Sequence, residues 1–287
     1  MPKPRAAARK PAVRSRSPAR DPQAPTKGND LPALAGDPDF MTSLARGLAV
    51  IRAFSQQRQR LSIAQISLRT GISRAAVRRC LYTLGRLGYV GSDDGRNFAL
   101  RPRILALGHA YLSSAPLASA AQPLLNQVSA AVHESCSMAI LDGDDIVYVA
   151  RSSSSARIMS IDLGIGSRLP AFCTSMGRVL LGGLTAPELN DFLKRLVATP
   201  FTNRTLVAKD RLRDTIAAAR AAGYALVDQE LEIGLRSMAV PVVDASGRPA
   251  AAINVSTQAA RVPLGDMEKR FLPALRAAAT ELSLLLV

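Results

Sequence analysis

Apolar and polar positions follow a helical period most sharply between Leu61 and Val90, LSIAQISLRTGISRAAVRRCLYTLGRLGYV, which reads as two short helices joined by a tight turn. Ile63, Ile66 and the small Ser67 share one side of a helix that opens near Ser62, a residue suited to accept a hydrogen bond from a free helical N–H. Thr70 and Gly71 stop it. Glycine tolerates the left-handed backbone of a sharp helix exit, and Ile72 just beyond can fold back onto a shared core. Ser73 then starts a second helix as its N-cap. Val77, Leu81 and Leu84 fall at i, i+4 and i+7, so one face points inward while Arg74, Ala75, Arg78 and Tyr82 point elsewhere.

That outward face carries cations and no carboxylate. Two helices with this profile fit a helix-turn-helix whose second member enters the DNA major groove, where arginine pairs with guanine and a methyl group meets thymine. They equally fit a helical hairpin with a solvated basic face. The segment just downstream favours the first reading. Gly88, Tyr89 and Val90 leave the helix as a strand, Ser92-Asp93-Asp94-Gly95 offers the chemistry of a tight hairpin turn, and Asn97 to Leu100 returns as a second strand. This is a wing, with Arg96 near its tip and within reach of a minor groove or flanking phosphates. The candidate DNA contacts are therefore Ser73, Arg74, Ala75, Arg78, Arg79, Tyr82 and Arg96.

Upstream, Met41-Thr42-Ser43 offers caps for a scaffold helix in which Leu44, Leu48 and Ile51 share a face and Phe54 closes against the later pair. Downstream, Pro102 to Leu112 reads as a helix, and Ser113-Ser114-Ala115-Pro116 interrupts it. Beyond that break the pattern mixes periods. Leu117 to His133 is helical, Ser137–Leu141 and Ile146–Ala150 flank a hairpin turn at Asp142 to Asp145, and Ile158–Ile161 reads as a third strand. A Gly164-Ile165-Gly166 loop precedes a short helix over Ser175–Leu181, and Thr185-Ala186-Pro187-Glu188 is a capping box ahead of Leu189–Leu196. Val207–Ala222 is a helix ending at Gly223; Tyr224–Asp228, Met238–Val243 and Ala250–Val255 are strands; a last helix spans about Gly265 to Leu285. The economical assembly is α+β, a twisted, mostly antiparallel sheet surrounded by helices.

The chain has 287 residues, more than one core usually holds, and a net charge of +15 whose location matters more than its size. Residues 41 to 112 carry twelve arginines and no lysine against two acidic residues, whereas residues 113 to 287 carry 17 basic against 16 acidic ones. A near-neutral C-terminal part argues against a protein that coats nucleic acid along its length and for one DNA-reading module carried by something else. The expected organisation is a flexible basic tail over 1–39, a winged helix-turn-helix domain over 40–101, a linker helix over 102–116 and a second domain over 117–287. Cys80, Cys136 and Cys173 are three in number and lack CxxC spacing, which fits a reducing cytoplasm and no structural zinc. The longest apolar runs fall far short of the ~20 residues that span a bilayer, and residues 1 to 30 lack the apolar block of a signal peptide.

An enzyme is the rival class. Cys173 with Thr174 and Ser175 suggests a nucleophile, yet neither His109 nor His133 is placed to imply a base, no metal-ligand spacing occurs, and no glycine-rich phosphate loop follows a strand; no cofactor is expected. An architectural DNA-binding protein leaves the 175 near-neutral residues after the reader unit unexplained. A ligand-controlled regulator accounts for both parts.

The three-helix unit with its wing, the linker helix, and the segment GLRSMAVPVVDASGRPAAAINVS together resemble the IclR family of bacterial transcriptional regulators over about residues 40 to 287. SLARGLAVIRAF at Ser43 to Phe54 and LPAFCTSMGRVLL at Leu169 to Leu181 are similar to the subgroup that controls aromatic-acid catabolism through the β-ketoadipate pathway. The resemblance implies a C-terminal domain like the GAF and PAS folds with an effector cavity on one face of its sheet. Carried over residue by residue, it implies Ile158, Ile161 and Leu169 as apolar lining, Ser175 and Met176 at a helix opening, and Asp228, Leu235, Ser237, Asn254 and Ser256 as later contributors. A helix opening near Ser175 presents free N–H groups and the positive end of a dipole, which suits a carboxylate. Small polar residues on strands are also simply satisfied by neighbours, Asp228 with Glu230 and Glu232 also fits a surface acidic cluster, and Arg157 and Arg236 fit either an acidic ligand or such carboxylates. The expected partners are double-stranded DNA with related half-sites, a small organic acid, and further copies of the chain in a homodimer or homotetramer.

Overall fold

The computed structural model describes residues 37–55, 58–114, 116–152 and 163–286. The expected N-terminal tail up to residue 36 and the expected strand at Ile158–Ile161 lie outside them. The N-terminal unit runs α1 (Thr42–Arg52), β1 (Leu61–Ser62), α2 (Ile63–Thr70), α3 (Arg74–Arg86), β2 (Val90–Gly91) and β3 (Asn97–Leu100). Its local signals act as the sequence dictates. The Ser62 hydroxyl accepts from the Gln65 amide while the Gln65 side chain accepts from the Ser62 amide, closing a capping box at the start of α2. Gly71 exits at φ 71°, and the Ser67 hydroxyl donates to the Ile72 carbonyl at 2.7 Å, folding the turn back on itself. Ser73 caps α3, whose Val77, Leu81 and Leu84 join Ile66 and Ile72 in one core.

Two expectations about α1 are corrected. The Leu44, Leu48 and Ile51 stripe is buried only at its end: Leu44 and Leu48 are 58% and 50% exposed, whereas Ile51 and Phe54 pack against the core that Val50 and Ala53 enter. The helix carries two apolar faces, and the one with Val50 and the small Ala53 is turned to the close packing against α3. The Met41-Thr42-Ser43 segment also gives α1 no side-chain cap. The wing gains a third strand, because β1 pairs antiparallel with β3 through Leu61 and Phe98, giving the order β1-β3-β2. At the tip Gly95 takes φ 65°, and the Asp94 carboxylate accepts from the amides of Asn97 and Arg96 at 2.7 and 2.8 Å, which holds its carboxyl far below the usual range.

A 3₁₀ turn at Pro102–Ile104 leads into α4 (Leu105–Ser113), followed by α5 (Pro116–Val132). The remainder is β4 (Ser135–Asp142), β5 (Asp145–Ser152), β6 (Arg168–Pro170), α6 (Ser175–Gly182), α7 (Ala186–Arg195), α8 (Lys209–Ala222), β7 (Ala225–Asp228), β8 (Leu235–Val243), β9 (Pro249–Gln258) and α9 (Met267–Ser283). The six strands form one antiparallel sheet in the order β6-β5-β4-β9-β8-β7. Strand β6 is too short to show in the sequence pattern, and β8 and β9 extend beyond their expected ends to Leu235 and Gln258. Alternation divides the sheet: Met138, Met238, Val240, Ile253 and Val255 meet α5 and α9 on one face, while Ala139, Ala239 and Ala252 meet α6 on the other. Among the described residues no single helix is long and apolar enough to cross a membrane.

The alanines on the second face let α6 come close, and the 3₁₀ turn Ala171–Cys173 crowds its first turn from the other side. A Cβ built on Gly177 would stand 2.1 Å from the Ala171 carbonyl oxygen, a backbone atom that cannot swing aside. Gly177→Ala is therefore expected to destabilise the fold by about 1–3 kcal/mol, read as a lowered thermal midpoint; an unchanged midpoint would contradict the close approach.

Candidate functional site

Two surfaces carry the candidate chemistry. On α3, Ser73 is committed to its cap through a 3.4 Å bond from the Ala76 amide. Arg74, Ala75, Arg78, Arg79 and Tyr82 are all exposed on one side of that helix, and Arg96 is exposed at the wing tip. Among the described residues none of these arginines forms an ion pair; Asp93 of the wing is engaged by Arg60 and Arg101 instead. The structure thus leaves a run of uncommitted guanidinium groups on the helix and tip that the sequence singled out, an arrangement suited to phosphates and base edges.

The second site is a cavity between the sheet and the opening of α6. Its walls are Tyr148 of β5, Leu169 of β6, Thr174, Ser175 and Met176 at the helix start, Val227 and Leu231, Leu235 and Ser237 of β8, and Ser256 of β9, with Cys173 beside them. Thr174, not Ser175, is the N-cap: its hydroxyl accepts from the Gly177 amide at 3.2 Å. The amides of Ser175 and Met176 have no partner among the described residues. Ser175 is 1% exposed, and its Oγ likewise finds no hydrogen bond. A buried hydroxyl at the positive end of a helix, left without a partner, is chemically suited to a polar ligand atom.

Arg178, in the first turn of α6, is buried against Glu230 at 2.7 Å and donates through Nε to the Phe172 carbonyl. The same Glu230 oxygen accepts from the Leu206 amide at 3.0 Å. Cys173 is inert by its surroundings: burial first, then the Glu230 charge, push its thiol far above the ordinary range, which removes the nucleophile considered from sequence. His109 and His133 are exposed, at α4 and just past α5. Among the described residues no cluster of side chains could hold a metal.

Of the effector-lining residues implied by the resemblance, Leu169, Ser175, Met176, Leu235, Ser237 and Ser256 meet around this cavity. Asn254 lies beside it, 3% exposed, giving its amide to the Ser256 hydroxyl at 3.0 Å and leaving Oδ1 without a partner among the described residues. Ile158, Ile161 and Arg157 lie outside the described residues. Asp228 is a correction. Strand alternation puts Val227 into the cavity and turns Asp228 to the opposite face, where it binds Arg236 at 2.5 Å and Arg204 at 2.6 Å. Burial works against that charge, yet the hydrogen bonds from Arg236 and Gln229 and the two guanidinium charges hold the Asp228 carboxyl below its ordinary value. Arg236 is spent on the same pair, and the acidic cluster divides, since Glu230 goes inward to Arg178. Sequence reasoning missed Tyr148, Cys173, Thr174, Val227 and Leu231 as lining. The period of two through Tyr224–Asp228 was the available signal for Val227.

Comparison with known proteins fits this geometry. Residues 43–94 match the IclR helix-turn-helix domain, and residues 109–284 match the bacterial transcriptional regulator IclR C-terminal family. The chain is 56% identical over 250 residues to the Pca regulon regulatory protein of Pseudomonas putida, which covers 87% of this chain and 86% of that relative. It is 38% identical over 248 residues to the p-hydroxybenzoate hydroxylase transcriptional activator of Acinetobacter baylyi, covering 85% and 91%. The crystal structure of a transcriptional regulator from Rhodococcus sp. RHA1 superposes with a TM-score of 0.75 at 50% identity, covering 86% of this chain and 98% of that one. With a helix-turn-helix unit, a C-terminal unit and relatives of this closeness all in agreement, the chain belongs to the IclR family of bacterial transcriptional regulators.

Proposed function

We propose that this regulator controls genes of aromatic-acid catabolism and answers to a small organic acid bound in the cavity at the opening of α6. The observation that carries the ligand half is the buried, unpartnered Oγ of Ser175 beside two free helix amides. The pathway half rests on likeness to the Pca regulon protein and the p-hydroxybenzoate hydroxylase activator. β-Ketoadipate, protocatechuate and 4-hydroxybenzoate are the candidate acids. In this reading Leu169, Met176, Leu235, Ser237, Asn254 and Ser256 complete the effector site with Ser175.

DNA is read by Arg74, Ala75, Arg78, Arg79 and Tyr82, with Ser73 opening the helix and Arg96 reaching from the wing. We place the reader over 40–101, the linker over 102–116 and the effector domain over 117–287, working in the cytoplasm. One recognition helix spans few base pairs, so the chain acts as a homodimer or homotetramer on related half-sites. The exposed apolar stripe of Met41, Leu44 and Leu48 on α1, and Leu105, Leu107 and Tyr111 on α4, supports that assembly. To change transcription the acid must bind the DNA-competent and incompetent arrangements unequally, because equal affinity shifts nothing.

Arg78→Ala is expected to weaken operator binding by about 1–3 kcal/mol, with a loss that depends on operator sequence; an equal loss on every sequence reassigns Arg78 to phosphate contact. For the cavity, calorimetry with the three acids on the wild type beside Ser175→Leu and Asn254→Leu is the direct test. Binding by the wild type that both variants lose is the expected outcome. No binding of any of the three at millimolar concentration refutes the ligand class, and equal binding by both variants refutes the site.

A further inference from the structure

Among the described residues, the charges near the cavity are committed with one exception. Arg178 is neutralised by Glu230 and Arg236 by Asp228, so neither is available to a ligand. Arg151, near the end of β5, is different. It pairs across the sheet with Ser137, and Ser137 pairs on its other side with Asn254, which places Arg151, Ser137 and Asn254 in one row on the face that α6 covers. Arg151 is partly buried, and among the described residues its guanidinium has no ion pair or hydrogen bond, while its main-chain carbonyl accepts from Gln122 at 3.0 Å.

The cation lies close enough to the cavity wall to be felt there. Burial pushes the Tyr148 phenol up to about 12, and the opposing pull on that group comes from the Arg151 charge. Asn254 stands two strands from Arg151, about 10 Å across the sheet, a gap that an extended arginine and a bound carboxylate can bridge. The row also holds the unpartnered Oδ1 of Asn254. A partly buried guanidinium without a counter-charge is costly, and a bound anion would relieve it. The opening of α6 supplies a separate, weaker positive end at Ser175.

We infer that Arg151 is a specificity-determining residue of the cavity, a second anion anchor apart from Ser175, so that acids charged at both ends are favoured over acids charged at one. The inference rests on the reading of the cavity as an effector site and adds to it the number of acidic groups the ligand carries.

The test uses the full chain and calorimetry with adipate, a six-carbon dicarboxylate, beside its monomethyl ester and 4-hydroxybenzoate. The wild type should bind adipate about tenfold or more tightly than the monoester. Arg151→Met should abolish that preference without lowering the thermal midpoint, and Arg151→Lys, which keeps the charge, should retain it. Equal affinity of the wild type for adipate and monoester overturns the inference, as does a preference that survives in Arg151→Met. Should the monoester or 4-hydroxybenzoate bind in a Ser175-dependent way with no advantage for adipate, the effector-site reading stands and only Arg151 is lost. Binding of all three that Ser175→Leu leaves intact removes the effector-site reading, and this inference with it.

Discussion

The buried pair of Arg178 and Glu230 fixes the elements that meet at the opening of α6. Neither charge has water to fall back on, and removing one partner of such a pair costs about 3–5 kcal/mol because the other is left buried and uncompensated. The pair does more than cancel charge. Glu230 takes the Leu206 amide with the same oxygen, and its main-chain carbonyl accepts from the hydroxyls of Thr202 and Thr205. Arg178 holds the Phe172 carbonyl of the turn before α6. Three separate stretches, around residues 172, 202–206 and 230, are thereby tied to the first turn of one eight-residue helix.

That helix is also where the cavity gets its polar end. Because Gly177 lies against the Ala171 backbone and Arg178 is pinned by Glu230, the start of α6 has little freedom, and the unpartnered Ser175 hydroxyl and its neighbouring amides are fixed in place. Leu231, one residue beyond Glu230, lines the same cavity. A displacement of this loop would therefore work against a buried ion pair.

The N-terminal unit is held by different means. Its core is small and aliphatic, and its precision comes from caps and turns: the capping box at Ser62, the left-handed Gly71, the Ser73 cap and the carboxylate of Asp94 gathering the wing tip. Ionic partners play a minor part there. Twelve arginines against two acidic residues over 41–112 leave most of the charge unneutralised within the unit. Such an excess costs stability through repulsion and is relieved on a polyanion, so the same imbalance that strains the free unit favours its engagement with DNA.

Along the chain, short-range chemistry was legible. Ser62, Gly71 and Ser73 with the Val77, Leu81 and Leu84 stripe defined the helix-turn-helix, and Thr185 with Glu188 closed the capping box it promised. Caps and periods involve residues a few positions apart, so their pattern can be read along the chain. Which positions of α1 are buried was settled only by its packing against α3, which takes Val50 and Ala53 into the core and leaves Leu44 and Leu48 exposed. The tertiary structure alone set β9 between β4 and β8, and so brought Ser137, Asn254 and Arg151 into one row. It sent Asp228 away from the cavity and drew Arg178 to a glutamate 52 residues distant. Contacts over such separations are fixed by strand order and by the need of each buried charge for a partner, neither of which leaves a periodic trace in the chain.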